Sequence, residues 1–367
     1  QESQMDIIAE KLRMDPLELR LKNYRKLGEI DPVLNEEIRS NGLKECLEKG
    51  AKSSGWQKKR RLKPVKGPRK RGIGLSVMMH GTGAGKALPD PAAATVMINA
   101  DGSVNLVTAA ADEGQGNRTV LAQIAAETLG IEFDKISVSE TDTDTTPLDC
   151  GTHGSRQAYS GGLAVKAAAT EARKKLLAHA QKELGTREAQ LRIREGRIFE
   201  AKNPDNNILI GDLMRKTQIE DMSVCEQVIG SAAGVAPAMP GYYGAIFAEV
   251  EVDIETGEVN VLKLTTAFDV GRAINPGLVE GQITGGGVMG MGFALTENLL
   301  LRDGQILNSS FADYRLLRAC DVPVIVHIIV ESNEPTGPFG AKGIGEGCMV
   351  NVASAISNAI CHATGVR

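Results

Sequence analysis

The decamer Gly337-Pro-Phe-Gly-Ala-Lys-Gly-Ile-Gly-Glu346 constrains the fold most strongly, because it precedes a segment with helical spacing at residues 350–363. Its repeated glycines predict a tight turn rather than a strand or a helix. Backbone N–H groups and the helix dipole converge where such a turn opens a helix. The decamer therefore predicts an anion-binding turn that ends in one carboxylate, Glu346; the alternative is a structural loop with a solvated glutamate.

Composition limits the classes of protein that fit the chain. Its 367 residues, 42% of them hydrophobic, allow a large core and more than one subdomain. A net charge of −4 lacks the basic surplus of nucleic-acid-binding proteins, so we expect small-molecule or protein partners. The cysteines and histidines are dispersed without a Cys-x-x-Cys pair, which favours reduced thiols in a cytoplasmic enzyme and no metal held directly by side chains. No apolar run has membrane-spanning length.

The ends of the chain predict that it is a fragment, a processed subunit or part of a longer chain. The first residues read as helix without a start methionine, and the last follow a helix cap closely. Residues 1–57 read as helical, with Asp15 and Pro16 starting one helix and residues 43–53 forming another. Residues 58–71 hold nine basic residues and read as a linker; an anionic docking patch is the alternative.

Residues 72–367 have the pattern of an α+β fold. Strands and helices alternate there with turn signals between them. The predicted strands are 93–100 with 104–108, joined as a hairpin; 246–254 with 259–262, joined as a second hairpin; and 324–330, an apolar run that reads as a central strand. The predicted helices are 120–129, 163–184 and 279–295.

Two further glycine turns precede helices. Asp112-Glu-Gly-Gln-Gly-Asn-Arg-Thr119 places Gln115 between glycines, where its amide could meet an oxo group or a heterocycle edge. Gly151-Thr-His-Gly-Ser-Arg156 places a hydroxyl and a guanidinium at a helix start, which suits a phosphate or pyrophosphate. The turns together predict one large polyanionic ligand. Residues 81–86 look like a phosphate loop but lack its spacing, and no dinucleotide fingerprint follows a strand.

Together these motifs resemble one family, the molybdenum hydroxylases of the xanthine dehydrogenase and aldehyde oxidase group. The likeness is to the C-terminal half of their molybdopterin-binding large subunit. The matching segments are Gly114–Gly116, Gly154–Arg156, Asp269–Pro276 and Gly340–Glu346, in the family's order. Residues 5–23 resemble the end of the family's first cofactor-binding half, so the likeness covers nearly the whole chain.

The resemblance implies an α+β fold of mixed sheets with packed helices, a molybdopterin-binding domain of the xanthine dehydrogenase and aldehyde oxidase type. On this basis we expect residues 1–57 to be the helical end of the first molybdopterin-binding half. Residues 58–71 would be a basic linker, and residues 72–367 the second molybdopterin-binding domain, divisible into two subdomains.

The resemblance also implies roles for individual residues. Glu346 matches the catalytic glutamate, a base that takes a proton from a molybdenum-bound hydroxyl before hydride passes to a sulfido ligand, and we expect it to be buried beside the cofactor. Met78, Met79 and His80 match substrate-pocket positions, with a structural role as the alternative for the histidine. The implied cofactor contacts are Gln115 and Gly116 to the pterin, Gly154 near the metal's oxygen ligands, Ser155 and Arg156 at the phosphate, and Lys342, Gly343, Ile344 and Gly345 in a backbone cradle.

The implied cofactor is molybdopterin carrying molybdenum, in the cytosine dinucleotide form that Arg156 suits in bacterial members. Family members pass electrons through [2Fe-2S] and FAD, which this chain lacks. It also lacks the Gly-Gly-Phe-Gly-Gly loop of the family's N-terminal half. The resemblance therefore implies a cytoplasmic hetero-oligomer with that half, an iron–sulfur subunit and a flavin subunit.

The substrate stays open at this point. Residues 145–149 and Gly345-Glu-Gly347 lean toward the 4-hydroxybenzoyl-CoA reductase branch, while purines, other N-heterocycles and aldehydes also fit. Two other classes of function compete with a hydroxylase or reductase. One is a non-catalytic cofactor-binding or assembly module, and the other is an unrelated phosphate-binding enzyme built on the same glycine turns.

Overall fold

A computed structural model describes residues 1–62, 67–84, 90–220 and 226–367 of the chain. The helices are α1 Glu2–Lys11, α2 Pro16–Asn23, α3 Leu43–Ser54, α4 Trp56–Lys59, α5 Asn117–Leu129, α6 Gly162–Leu184, α7 Ile210–Arg215, α8 Pro276–Leu295, α9 Gly347–Val350 and α10 Val352–Thr364. The strands are β1 Ile30–Asp31, β2 Glu36–Glu37, β3 Arg69–Gly81, β4 Pro91–Ile98, β5 Val104–Thr108, β6 Ile136–Val138, β7 Leu191–Arg194, β8 Arg197–Glu200, β9 Asn203–Leu209, β10 Ile229–Val235, β11 Gly241–Asp253, β12 Val259–Asp269, β13 Leu301–Arg302, β14 Gln305–Ile306 and β15 Val324–Val330.

The chain divides into two compact units. The first unit comprises Gln1–Gly81, Pro240–Pro335 and Ile344–Arg367, and the second comprises Thr82–Met239 and Thr336–Gly343. The division differs from the predicted one, because residues 1–57 share a unit with β3, β11 and β12. The boundary nearest the basic segment lies at Gly81, beyond the predicted linker. The assignment of residues 1–57 to a first cofactor-binding half stays a prediction.

The first unit is built on a sheet with the strand order β15-β12-β11-β3. On one face, α8, α9 and α10 cover side chains that include Tyr242 and Phe268. On the other face, α3 and α4 cover a cluster that includes Phe247 and Trp56, whose rings meet edge-on at 5.6 Å. The hairpin of β11 and β12 confirms the predicted hairpin of residues 246–254 and 259–262, which Thr256 and Gly257 join. Alternating side chains along residues 246–254 predict one buried and one solvent-exposed face. The exposed face is wrong at Phe247, which is fully buried because α3 and α4 cover it.

The prediction of a central strand at residues 324–330 is wrong in position. In the described part of the chain, β15 pairs in parallel with β12 and lies at the edge of the sheet. Its apolar run has another cause, since Ile325 and Ile329 pack on the side of α8 while Ile328 and Val330 pack on the side of α3. A strand covered on both faces reads as continuously apolar wherever it stands in the sheet.

The second unit has a sheet with the strand order β10-β4-β5-β6 and a smaller one of β7, β8 and β9. The β4–β5 hairpin confirms the prediction from Asp101-Gly102. Helices α5 and α6 pack together, and α6 lies against β4 and β10. They confirm the predicted helices at 120–129 and 163–184, as α8 confirms that at 279–295. The mixed sheets with packed helices confirm the α+β fold class.

The basic segment 58–71 is only partly a linker. Its first residues belong to α4 and its last residues to β3, while residues 63–66 lie outside the described residues. Residues 85–89 also lie outside them, and with them the end of the glycine segment 81–86. Cys320, Cys348 and Cys361 are free thiols.

Candidate functional site

The first glycine turn of the second unit is closed by its own aspartate. Asp112 Oδ1 accepts hydrogen bonds from the amides of Gly114 (2.9 Å) and Gly116 (3.1 Å), and Oδ2 accepts one from Arg118 N at 3.3 Å. Burial opposes the charge of Asp112, yet these amide bonds lower its pKa overall. Gln115 bonds within the same loop, to Glu113 N and to the carbonyl of residue 111. The carboxylate therefore fixes the shape of the turn that opens α5.

The second glycine turn has an unusual backbone. Gly154 and Ser155 both have left-handed conformations, with φ of 55° and 54°. A positive φ is uncommon for a residue other than glycine, and such conformations concentrate at functional sites. The Gly154 carbonyl accepts a hydrogen bond from Gly83 N at 2.7 Å. Residues 157–161 form a helical turn that continues into α6, so Ser155 and Arg156 lie at a helix start as predicted.

Arg156 is buried completely and is paired with two carboxylates. Its Nε lies 2.5 Å from Asp90 Oδ1, and its Nη1 lies 2.7 Å from Asp149 Oδ1. The remaining donors reach the carbonyls of Pro91 at 2.8 Å and Gly151 at 3.1 Å. Arg156 thus ties the turn to β4 and to residue 149. Its predicted contact with a phosphate stays a prediction.

The end of the decamer in the second unit packs against this turn. A Cβ built on Gly343 would lie 1.7 Å from the carbonyl oxygen of Ser155, so only glycine allows this approach. Lys342, next to it, is 2% exposed. The structure therefore brings Lys342 and Gly343 together with the 151–156 turn, although they lie far apart in sequence.

Several buried polar atoms around these turns have no hydrogen-bond partner among the described residues. They include Thr82 Oγ1, Ser160 Oγ, Gln157 Oε1 and Asn117 Oδ1. Gly83 connects part of this set, because its Cβ position lies 3.4 Å from Ser160 Oγ. Buried polar atoms in native proteins normally have partners, so a cluster without them is a candidate ligand site.

In the first unit, Glu346 is exposed at the residue that precedes α9. The expected burial of Glu346 beside the cofactor stays a prediction. Gly347 and Cys348, which follow it, are buried. Burial is the main cause that raises the pKa of the Cys348 thiol, and the charge of Glu346 adds to it. The Gly347 amide donates to Tyr242 Oη at 2.7 Å, and the Tyr242 ring lies 5.4 Å from the ring of His80.

The structure separates the three residues predicted for the substrate pocket. Met78 and His80 point to the sheet face of Tyr242 and α9, where Met78 joins the core cluster. Met79 points to the opposite face and packs with the cluster around Phe247. Met79 therefore cannot share a pocket with His80 on the Glu346 side of the sheet.

Sequence reasoning missed Asp90, Asp149, Ser160 and Tyr242. Asp149 lies two residues before the glycine turn 151–156, and that closeness was a usable signal. The other three carry none, since each meets its partner through the fold. Ile344 and Gly345 lie in the first unit beside Glu346, half-buried, and their predicted contacts with a cofactor stay predictions.

No group of three or more His, Cys, Asp or Glu side chains in residues 1–62, 67–84, 90–220 and 226–367 could hold a metal ion. Within the same ranges, every helix is too short or too polar to cross a bilayer.

Comparison with known proteins adds independent findings. A family model described as the molybdopterin cofactor-binding domain matches residues 49–323. The chain is 33% identical over 369 residues to the putative xanthine dehydrogenase molybdenum-binding subunit XdhA of Escherichia coli (strain K12), covering 100% of this chain and 49% of that protein. It is 31% identical over 368 residues to the aldehyde oxidoreductase molybdenum-binding subunit PaoC of the same strain, covering 99% and 48%.

Among solved structures, quinoline 2-oxidoreductase from Pseudomonas putida 86 superposes with a TM-score of 0.90 at 26% identity. The match covers 99% of this chain and 48% of that one. The chain thus spans about half the length of the relatives it matches.

Proposed function

The chain belongs to the molybdopterin cofactor-binding domain family, and we propose that it is the C-terminal, base-carrying half of the molybdenum-binding subunit of an oxidoreductase. One observation carries the proposal. A single carboxylate, Glu346, stands exposed on a short turn next to the buried Gly347 and Cys348, in a chain related along its whole length to molybdenum-binding subunits. An exposed side chain on a fixed main chain suits a general base that must reach a substrate.

The second unit has residues that fit the cofactor. The hydroxyls of Thr82 and Ser160 can donate to phosphate oxygens, and the amide oxygens of Gln157 and Asn117 can accept from pterin N–H groups. All four are buried atoms in need of partners. With the backbone of Gly154 they would hold molybdopterin, which we propose in its cytosine dinucleotide form.

Arg156 then has an indirect role in this proposal. Its guanidinium is held by Asp90 and Asp149, so it shapes the turn that would receive the phosphate. The side-chain amide of Gln115 is likewise held within its own loop by two hydrogen bonds. It would contact the pterin through the edge of that amide group. Gly116 keeps its predicted contact with the pterin, and Ser155 keeps its predicted place at the phosphate. Lys342 and Gly343 keep their predicted backbone contacts with the cofactor, and the contacts expected of Ile344 and Gly345 stay predictions.

The cofactor, when bound, supplies two-electron redox chemistry at molybdenum. Glu346 would accept the proton of the oxygen that attacks an electron-poor carbon, which frees that oxygen as a nucleophile. We propose an aldehyde or N-heteroaromatic substrate, from the named activities of the relatives. Electrons would leave through [2Fe-2S] and FAD on partner subunits of a cytoplasmic hetero-oligomer that also provides the N-terminal half.

Glu346→Gln tests the proposal in the complete enzyme complex. A general base contributes about 10²- to 10⁴-fold to the rate, so turnover should fall by that factor while molybdenum content stays at the wild-type level. Glu255→Gln, an exposed glutamate on the β11–β12 turn, is the matched control and should retain full activity. Substrates are xanthine, benzaldehyde and quinoline with ferricyanide as acceptor, and metal is measured by mass spectrometry.

Two results would contradict the proposal in different ways. A Glu346→Gln enzyme with full activity and full molybdenum content would contradict the assignment of Glu346 as the general base. A complex that contains all its subunits but no molybdenum and no pterin would favour the non-catalytic assembly module. Release of cytosine nucleotide on acid treatment would support the dinucleotide form.

A further inference from the structure

In the first unit, side chains of the sheet pack against the peptide bond between Glu346 and Gly347 and hydrogen-bond to it. The hydroxyl of Tyr242 accepts a hydrogen bond from the Gly347 amide, and Tyr242 is fully buried on β11. A Cβ built on Gly347 would lie 2.1 Å from Met78 Cε and 2.5 Å from Tyr242 Oη. No real Cβ approaches other atoms so closely, so the residue after Glu346 must be glycine for this contact to exist.

The same turn is closed on its other side by its own backbone. Cys348 N donates to the carbonyl of Gly345, and Met349 N donates to that of Glu346, both at 3.0 Å. The main chain of Glu346 is therefore held from the sheet and from α9.

We propose that Tyr242 is a positioning residue for Glu346. The inference rests on the proposed function, in which Glu346 is the general base. A base must lie within hydrogen-bond reach of the proton that it removes, and a displacement of about 1 Å can cost about 100-fold in rate. By accepting a hydrogen bond from the Gly347 amide, the Tyr242 hydroxyl fixes the main-chain position of Glu346, from which its side chain extends.

Tyr242→Phe removes the acceptor and keeps the ring. The chain offers a matched control in Tyr243, the next residue, which is 5% exposed and packs on the opposite face of the sheet. Tyr243→Phe removes an equally buried hydroxyl without touching the Gly347 amide. Unfolding midpoints of both variants report any general loss of stability.

Hydrogen exchange provides a readout that needs neither cofactor nor substrate. In the complete protein, amide exchange in a peptide spanning residues 345–350 should be about tenfold faster in Tyr242→Phe, since a lost hydrogen bond is worth roughly 1 kcal/mol or more. Exchange there should be unchanged in Tyr243→Phe. Equal exchange in wild type and Tyr242→Phe would overturn the inference.

Steady-state kinetics of the molybdenum-loaded complex provide the second readout, with whichever of xanthine, benzaldehyde or quinoline it oxidises. Tyr242→Phe should lower kcat about 10- to 100-fold with KM and molybdenum content near wild type. In a Glu346→Gln background the same change should add no further loss, because it acts through Glu346. A raised KM with unchanged kcat, or an equal loss in Tyr243→Phe, would refute positioning.

The two readouts separate this inference from the proposed function. If Glu346→Gln is fully active, the base assignment fails whatever Tyr242 does. If Glu346→Gln is inactive while Tyr242→Phe behaves like Tyr243→Phe, only the positioning role fails. If none of the three substrates is oxidised, the proposed substrate classes fail, and the exchange measurement still decides whether Tyr242 holds the turn.

Discussion

Arg156→Met is expected to destabilise the second unit far more than a like change at an exposed ion pair. The Arg156 side chain is 0% exposed, and its partners Asp90 and Asp149 are 1% and 2% exposed. Methionine fills a similar volume but leaves two carboxylates in the interior without a cation. Breaking a buried ion pair by removing one partner costs about 3–5 kcal/mol, because the remaining charge stays desolvated.

That loss can be converted into a melting temperature. For a domain of this size, 1 kcal/mol shifts the melting temperature by roughly 2–4 °C, so Arg156→Met should lower it by about 6–20 °C. Asp149→Asn should cost less, about 1–3 kcal/mol, because Arg156 and Asp90 remain as a balanced pair. Arg156→Met should therefore have a lower melting temperature than Asp149→Asn.

The matched control is Arg215→Met. Arg215 pairs with Asp212 at 3.3 Å on α7, where the two side chains are 56% and 50% exposed. Such a pair is worth about 0–1 kcal/mol. Calorimetry and urea unfolding of the protein purified without molybdenum would measure all three variants. If Arg156→Met costs no more than Arg215→Met, water or protons reach the Asp90 and Asp149 carboxylates and the argument from burial fails.

Two further predictions concern single side chains. Ser160→Ala should leave the stability of the molybdenum-free protein unchanged or slightly raised, because the buried hydroxyl lacks a partner. The same change should lower the retention of molybdenum in the loaded complex. Retention equal to that of the wild type on dialysis would show that Ser160 does not contact the cofactor. Burial, with the nearby Arg60 charge, lowers the pKa of His362 from 6.5 to about 4, so its contribution to stability is complete above about pH 6.5 and is lost as the pH falls toward 4. His362→Asn, which can still bond Ile73 N and the Arg60 carbonyl, should flatten that part of the pH–stability curve, and equal slopes by urea unfolding would contradict the assignment.

Local signals in the sequence predicted the helices α3, α5, α6 and α8, the two hairpins and the glycine turns. Asp15 with Pro16 predicts the start of α2, and the Asp15 carboxylate does accept the Leu17 amide. Asp101-Gly102 and Thr256-Gly257 predict the two hairpins. These features depend on residues a few positions apart, so their physics is contained in the sequence itself. The decamer likewise predicts a turn that ends at a carboxylate before a helix, which α9 and α10 bear out.

Only the tertiary structure decided which side chains meet. Arg156 pairs with Asp90, 66 positions earlier, and the Gly347 amide finds Tyr242, 105 positions earlier. The edge position of β15 likewise depends on how separate segments assemble. Such contacts depend on how the whole chain packs, and no spacing in the sequence records that outcome. The carboxylate at residue 346 could be read from the sequence, whereas the side chains that hold its peptide could not.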